Sequence, residues 1–166
     1  MANDLWRTPP EVMLYLKYNH GFLPTIDACA DKDNRKCKRF FSEENSFLLV
    51  DPKSINGEQI WCNPPYSKPL PFVKQCIALS GNGNDVFMLL NMDTSTKWFE
   101  LIEATENATV MPVVGGRIHF VNEKGEQITK NNKPQVFIYF CKHQTYNLLK
   151  ADWEPINIEL IRNYKE

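Results

Sequence analysis

Gln59-Ile60-Trp61-Cys62-Asn63-Pro64-Pro65-Tyr66 runs from an apolar strand signal directly into an amide, two prolines and an aromatic ring. Beyond it, Leu70, Phe72, Val73, Cys76, Ile77 and Leu79 outline an amphipathic helix that Gly81 ends. Strand, rigid turn and helix in that order are the repeating step of an α/β sheet. Strand termination alone accounts for the prolines, since proline restricts its predecessor and cannot join a ladder. The full quartet suits a further task, the handling of a planar group that bears an NH2. The Asn63 side-chain oxygen accepts one N–H, the Pro64 carbonyl accepts the other, and the Tyr66 face stacks on the ring.

The same alternation extends to both sides. Thr8-Pro9-Pro10-Glu11 reads as a helix start with Thr8 as N-cap, Pro9 at N1 and Glu11 at N3. Val12, Tyr15, Leu16 and Asn19 follow at helical spacing, and Gly21 is the stop. Residues 25–28 read as a short buried strand entering a polar loop, with a second short strand near Arg39-Phe40-Phe41. Residues 85–90 form a continuous apolar run, as in a central strand covered on both faces. Asp93-Thr94 reads as the cap of a helix bearing Trp98 and Phe99. Residues 109–114 and 135–140 are two further strands, with Gly125 marking a hairpin between them. The expected fold is α/β, a mostly parallel sheet flanked by helices with a C-terminal antiparallel hairpin. Ligands of such sheets bind at the carboxyl ends of the strands, the edge where both Asp27 and Asn63 fall.

Composition narrows the class. With 43% hydrophobic and 23% charged residues, the 166-residue chain is globular and long enough for a substantial core. No apolar run approaches a membrane span, and the first six residues lack the regions of a signal peptide, so no membrane partner is expected. The five cysteines form no CxxC pair and the three histidines no ligand spacing, so neither a disulfide framework nor a metal is expected. A reducing cytosol is the simplest compartment. The net charge of -1 is unusual for a protein that grips nucleic acid. Basic clusters exist at Lys32, Arg35, Lys36, Lys38 and Arg39 and at Lys124, Lys130 and Lys133, though solvated loops explain each equally well.

An exocyclic amine such as adenine N6 is a poor nucleophile because its lone pair is delocalised into the ring. Two acceptors on the NH2 favour a geometry that localises it, and a sulfonium donor then needs little more than alignment. Asp27, at a strand end, is placed either to bind a cofactor ammonium or to make a turn. Ala28 keeps the approach open, although the loop it begins has no glycine. Glu43, Glu44 and Asn45 are placed for ribose hydroxyls or simply form an acidic loop. Gly115-Gly116-Arg117 lets a backbone approach DNA with Arg117 on a phosphate, or makes a turn with a surface arginine.

Taken in order, Trp6, Thr8-Pro9, Asp27-Ala28-Cys29-Ala30, Asn45, Asn63-Pro64-Pro65-Tyr66, Asp93-Thr94 with Trp98-Phe99, and Gly116-Arg117-Ile118-His119-Phe120 resemble the phage-type DNA N6-adenine methyltransferases. The resemblance spans roughly residues 5–140. It implies a Rossmann-like class I methyltransferase fold and one catalytic domain over 1–166, with no separate target-recognition domain. It implies S-adenosylmethionine as cofactor, S-adenosylhomocysteine as product, adenine-containing DNA as partner and a bacterial host's cytoplasm as the compartment. Trp6, Thr8, Pro9, Asp27, Ala28, Glu44 and Asn63 are the implied cofactor contacts. Asn63, Pro64, Pro65 and Tyr66 handle the target adenine, and Tyr66, Lys68 and Arg117 are assigned to DNA. Asp51 departs from the tryptophan that relatives often carry there. Target choice is left to short loops such as 116–134 or to a second subunit, a homodimer being one expectation. Trp153, Ile156, Ile158, Leu160 and Ile161 of the 144–166 segment pack on the sheet or bury in a dimer. The alternatives are a protein-glutamine or RNA-adenine methyltransferase, or a cofactor- or DNA-binding module without turnover.

Overall fold

Two consecutive prolines decide where the first helix begins. The computed structural model describes residues 6–142 and 151–164, and its first helix, α1, spans Pro10–His20. Pro10 denies Pro9 the helical region, so Pro9 stays extended (φ -71°, ψ 154°) and takes the N-cap place itself. Thr8 therefore stands one residue outside the helix and caps nothing, contrary to the sequence reading, and its hydroxyl is left for another partner. Gly21 closes α1 in the left-handed region, φ 62°, as its position predicted.

The chain then lays down β1 (Ile26–Asp27), β2 (Arg39–Phe40) and, after two short 3-10 turns, β3 (Gln59–Cys62). Helix α2 (Leu70–Gly81) leads to β4 (Asp85–Asn91), and α3 (Lys97–Glu103) to β5 (Ala108–Val114). A long connection precedes β6 (Gln135–Phe140), and β7 (Asp152–Trp153), β8 (Ile156–Asn157) and α4 (Ile158–Arg162) complete the order. The α3 cap is Thr96, whose hydroxyl accepts the Phe99 N–H at 3.2 Å. Asp93 instead ties the preceding turn by accepting the Ser95 N–H at 3.0 Å, so the sequence placed the cap a few residues early.

The sheet runs β2-β1-β3-β4-β6-β5-β7, with β8 also on β5. Among these pairs only those made by β6 are antiparallel. The apolar run of β4 is buried on both faces, as expected of a central strand. Val86, Met88 and Leu90 join a core with Val73, Cys76 and Leu79 of α2 and Phe99 and Ile102 of α3. Phe87 and Leu89 join the other, with Val12 and Leu16 of α1 and Ile158 and Ile161 of α4. The result is a mixed α/β architecture, a mostly parallel sheet flanked by helices and compatible with a Rossmann-like fold. Ile156, Ile158 and Ile161 pack on the sheet, while Trp153 and Leu160 are exposed. Residues 144–150 and 165–166 of that segment lie outside the described residues.

The β5–β6 connection carries its own tight turn. Gly125 (φ 77°) turns a small ribbon in which Val121 pairs with Gln127, and Val121 also pairs with Arg7. Gly125 thus turns this ribbon within the connection. At its base the fully buried Gln135 accepts the Ile118 N–H (3.2 Å) and Asn131 Nδ2 (3.0 Å) and donates to Asn91 Oδ1 (3.1 Å). Satisfied buried amides of this kind fix the connection to the carboxyl end of β4. Gly116 is exposed, and a Cβ there would meet Ile158 Cγ2 at 3.0 Å and Arg162 Nη2 at 3.2 Å, so the absence of a side chain lets α4 pack close to it.

Candidate active site

Asn63 leaves the carboxyl end of β3 and its side chain folds back toward the segment before α1. Its Nδ2 donates to Thr8 Oγ1 at 2.9 Å, and Thr8 is 3% exposed. The other end of the amide, Oδ1, is buried without a partner among the described residues. A buried acceptor without a partner costs on the order of 1–3 kcal/mol, so Asn63 is a group whose hydrogen bonding the described residues leave incomplete. Tyr66 presents a second open group. Its hydroxyl is also buried and unpartnered, and burial pushes its ionisation well above the ordinary phenol range. The ring meets Phe120 edge-on, with centroids 6.2 Å apart, and Trp6 packs on the same Phe120 at 5.8 Å.

Two cavities flank the quartet. The larger, about 830 Å³, is walled by Ala28 to Lys32, by Phe40 and Phe47, by Glu43 and Glu44, and by Asn63 and Pro65. Small side chains, aromatic faces and rim carboxylates suit a cofactor with a ring, a ribose and a cationic end, and the size lies within the ~300–1,000 Å³ of small-molecule sites. The second, about 400 Å³, lies between Tyr66, the Leu90 to Asp93 end of β4, Trp98, and Asn132 to Pro134.

The loop that walls the larger cavity holds its shape without glycine. Asp27 is 2% exposed, and its Oδ1 accepts the Cys29 N–H (3.2 Å) while Oδ2 accepts the Lys36 N–H (2.9 Å). Asp31 Oδ1 accepts the N–H groups of Asp33 (2.7 Å) and Asn34 (2.9 Å), and Asn34 Oδ1 accepts the Asp31 N–H at 2.7 Å. Burial, opposed by the two N–H groups and by Lys36, raises the Asp27 carboxyl from 3.8 to about 6.

A raised carboxyl weakens the fold once it ionises. Below the unfolded value both states hold the proton and Asp27 contributes nothing. Between 3.8 and about 6 the unfolded chain loses its proton first, so stability falls as pH rises. Above about 6 the whole penalty, on the order of 3 kcal/mol, is present. Urea midpoints of the wild type and Asp27→Asn should therefore diverge between pH 4 and 7, the wild type gaining on the variant as pH falls. A difference constant with pH would contradict this.

Of the residues singled out in the sequence, Ala28, Glu44, Asn63 and Pro65 meet at the larger cavity, and Tyr66 lines the smaller. Pro64 is buried beneath them. Asp27 lies behind the wall as the brace of its loop, Thr8 holds Asn63, and Trp6 supports Phe120. Pro9 and Arg117 line a hollow of about 10 Å³, room for one water at most. Arg117 is half-buried, and its carbonyl accepts Arg162 Nη2 at 3.4 Å. Lys68 is exposed and lines neither cavity. The roles of two residues escaped the sequence reading. Lys36, taken as part of a basic patch, donates from Nζ to the Thr8 carbonyl at 2.9 Å. Phe120, fully buried, packs against Tyr66; the sequence reading included it in the resembling segment Gly116 to Phe120 and gave it no role.

Fold and site together define a class: a Rossmann-compatible α/β protein with a cofactor-sized cavity and an open amide acceptor at the carboxyl edge of its parallel strands. The family is narrower still. Residues 1–157 match the model of the DNA N-6-adenine-methyltransferase (Dam) family, and the chain belongs to that family. It is 40% identical to the DNA N-6-adenine-methyltransferase of Haemophilus phage HP1 (strain HP1c1), over 93% of this chain and 88% of that one. It is 36% identical to the protein of the same name from Escherichia phage T1, over 93% of this chain and 70% of the relative.

Proposed function

We infer that this chain transfers a methyl group from S-adenosylmethionine to the N6 amine of adenine in DNA, in modification of phage or prophage DNA. The observation that carries the reading is the open Asn63 Oδ1, a buried acceptor beside a cavity whose lining fits the cofactor. The strand order β2-β1-β3-β4-β6-β5 with β6 reversed supports a class I methyltransferase sheet. When bound, the cofactor supplies an electrophilic methyl group and leaves as S-adenosylhomocysteine.

The protein's own part is positional. Asn63 Oδ1 accepts an N–H of the target amine and draws its lone pair out of the ring, toward the larger cavity. Tyr66, braced by Phe120, offers the stacking surface for a base withdrawn from the helix. Ala28 leaves room at the cavity wall, and Glu43 and Glu44 stand where ribose hydroxyls need acceptors. No strong base is needed, because the methylated amine is acidic and releases its proton to water. With a net charge of -1, DNA affinity is modest and falls with salt.

The test is incubation of the protein with labelled S-adenosylmethionine and, separately, unmethylated DNA, RNA and cell extract, followed by digestion and identification of the labelled product. The expected product is N6-methyldeoxyadenosine from DNA. Label confined to RNA or to protein glutamine would replace this reading by the corresponding rival, and no label anywhere would leave a binding module.

A further inference from the structure

We propose that Lys36 is a positioning residue for methyl transfer, acting through Thr8 on the Asn63 amide; this rests on Asn63 accepting the target amine. Three contacts form the chain of action. Lys36 Nζ donates to the Thr8 carbonyl at 2.9 Å, and Thr8 Oγ1 accepts Asn63 Nδ2 at 2.9 Å. The open Oδ1 is what remains of the amide for a ligand.

Lys36 belongs to the densest basic cluster of the sequence, yet it does not serve as a surface charge. Its neighbours Arg35 and Lys38 are exposed, whereas Lys36 is half-buried with its ammonium turned onto a buried backbone carbonyl. Desolvation is unfavourable for a lysine, so a position that withdraws it from water indicates a specific demand. Lys36 serves the cavity loop through its main chain, whose N–H is bound to Asp27 Oδ2 at 2.9 Å, and through its charge, which favours the ionised form of the same carboxyl. The hydrogen bond of the ammonium does something separate. Thr8 has no helix hydrogen bond to fix it, because Pro9 and Pro10 push it outside α1. Arg7 before it is tied to Val121 by two backbone hydrogen bonds, and the charge-assisted bond from Lys36 restrains the Thr8 carbonyl itself, beside Asn63. One side chain thereby links the wall of the larger cavity to the amide that meets the target base.

Main chain and side chain of Lys36 are separable by substitution. Lys36→Met keeps the N–H on Asp27 and removes the ammonium, with both its bond to Thr8 and its charge near Asp27, whereas Thr8→Val removes only the hydroxyl. Single-turnover methyl transfer to DNA, with both substrates saturating, is measured for each variant and for the double variant. Each single change is expected to slow the step by about 10- to 100-fold, the scale of a misplaced reacting group, while KM for cofactor and DNA stays within about threefold. The double variant should be no slower than the slower single, because both cut one linkage. Lys36→Arg, which can still donate to the carbonyl, should recover part of the rate.

Wild-type rates in Lys36→Met or in Thr8→Val overturn the proposal, as do losses that multiply in the double variant. Should Lys36→Met fail to fold, the Thr8→Val rate and the Lys36→Arg rescue decide alone. Asn63→Ala separates the two levels. Full activity there removes the underlying reading, whereas an inactive Asn63→Ala beside an unimpaired Lys36→Met removes only the role of Lys36.

Discussion

Asn63→Ala is expected to lower kcat by roughly 100- to 1,000-fold, the loss that follows removal of one preorganised polar contact to a reacting group. Cofactor affinity should change by no more than about threefold, since most of the cavity wall comes from other residues. Stability should change by less than about 1 kcal/mol, because the lost hydrogen bond to the Thr8 hydroxyl is offset by removal of the unpartnered buried Oδ1. Asn63→Asp sharpens the test: it keeps an acceptor beside the amine and should retain more activity than alanine. Titration calorimetry with S-adenosylhomocysteine, read beside the kinetics, decides the matter. Loss of cofactor binding in step with activity would make Asn63 structural.

Tyr66 should give the second large effect, and a divided one. Base–aromatic stacking is worth about 1–3 kcal/mol, so Tyr66→Ala should cut kcat/KM for DNA by roughly 5- to 150-fold. Tyr66→Asp should lose more, because it forces a charge into a place where even the hydroxyl is withheld from water. Tyr66→Phe goes the other way in stability. It keeps the ring on Phe120 and deletes an unpartnered hydroxyl, so the urea midpoint should rise by the equivalent of about 1 kcal/mol. If Tyr66→Phe loses activity along with Tyr66→Ala, the hydroxyl itself contacts substrate and stacking is not the whole of its role.

What the sequence made legible follows from the range of the interactions involved. The apolar run of β4, the helical stripe of α2 and the stop at Gly21 are local signals, and each element appears where its pattern places it. Asn63 to Tyr66 were legible as a candidate site because their chemistry exceeds what a turn requires. Thr8 was misread because the capping pattern competes with the restriction Pro10 imposes on Pro9, and the stereochemical restriction wins. Asp27 was found, but which way its oxygens turn depends on Lys36, nine residues further on. The inward course of Lys36 has no local signature at all, since its partner lies 28 residues away. A hydrophobic period reports burial of carbon; it is silent on which lysine in a basic run gives up its water.

The edges of the sheet bear on how copies of this protein meet. Among the described residues, one edge is β2, two residues long, and the other is β7 and β8, two residues each, separated by Glu154 and Pro155. Pro155 has no N–H to offer a neighbouring strand. Short ladders interrupted by proline are poor templates for another strand, a common defence against edge-to-edge association. Continuous sheets built across two molecules through these edges are therefore disfavoured, and side-chain contact is the readier route for a second copy.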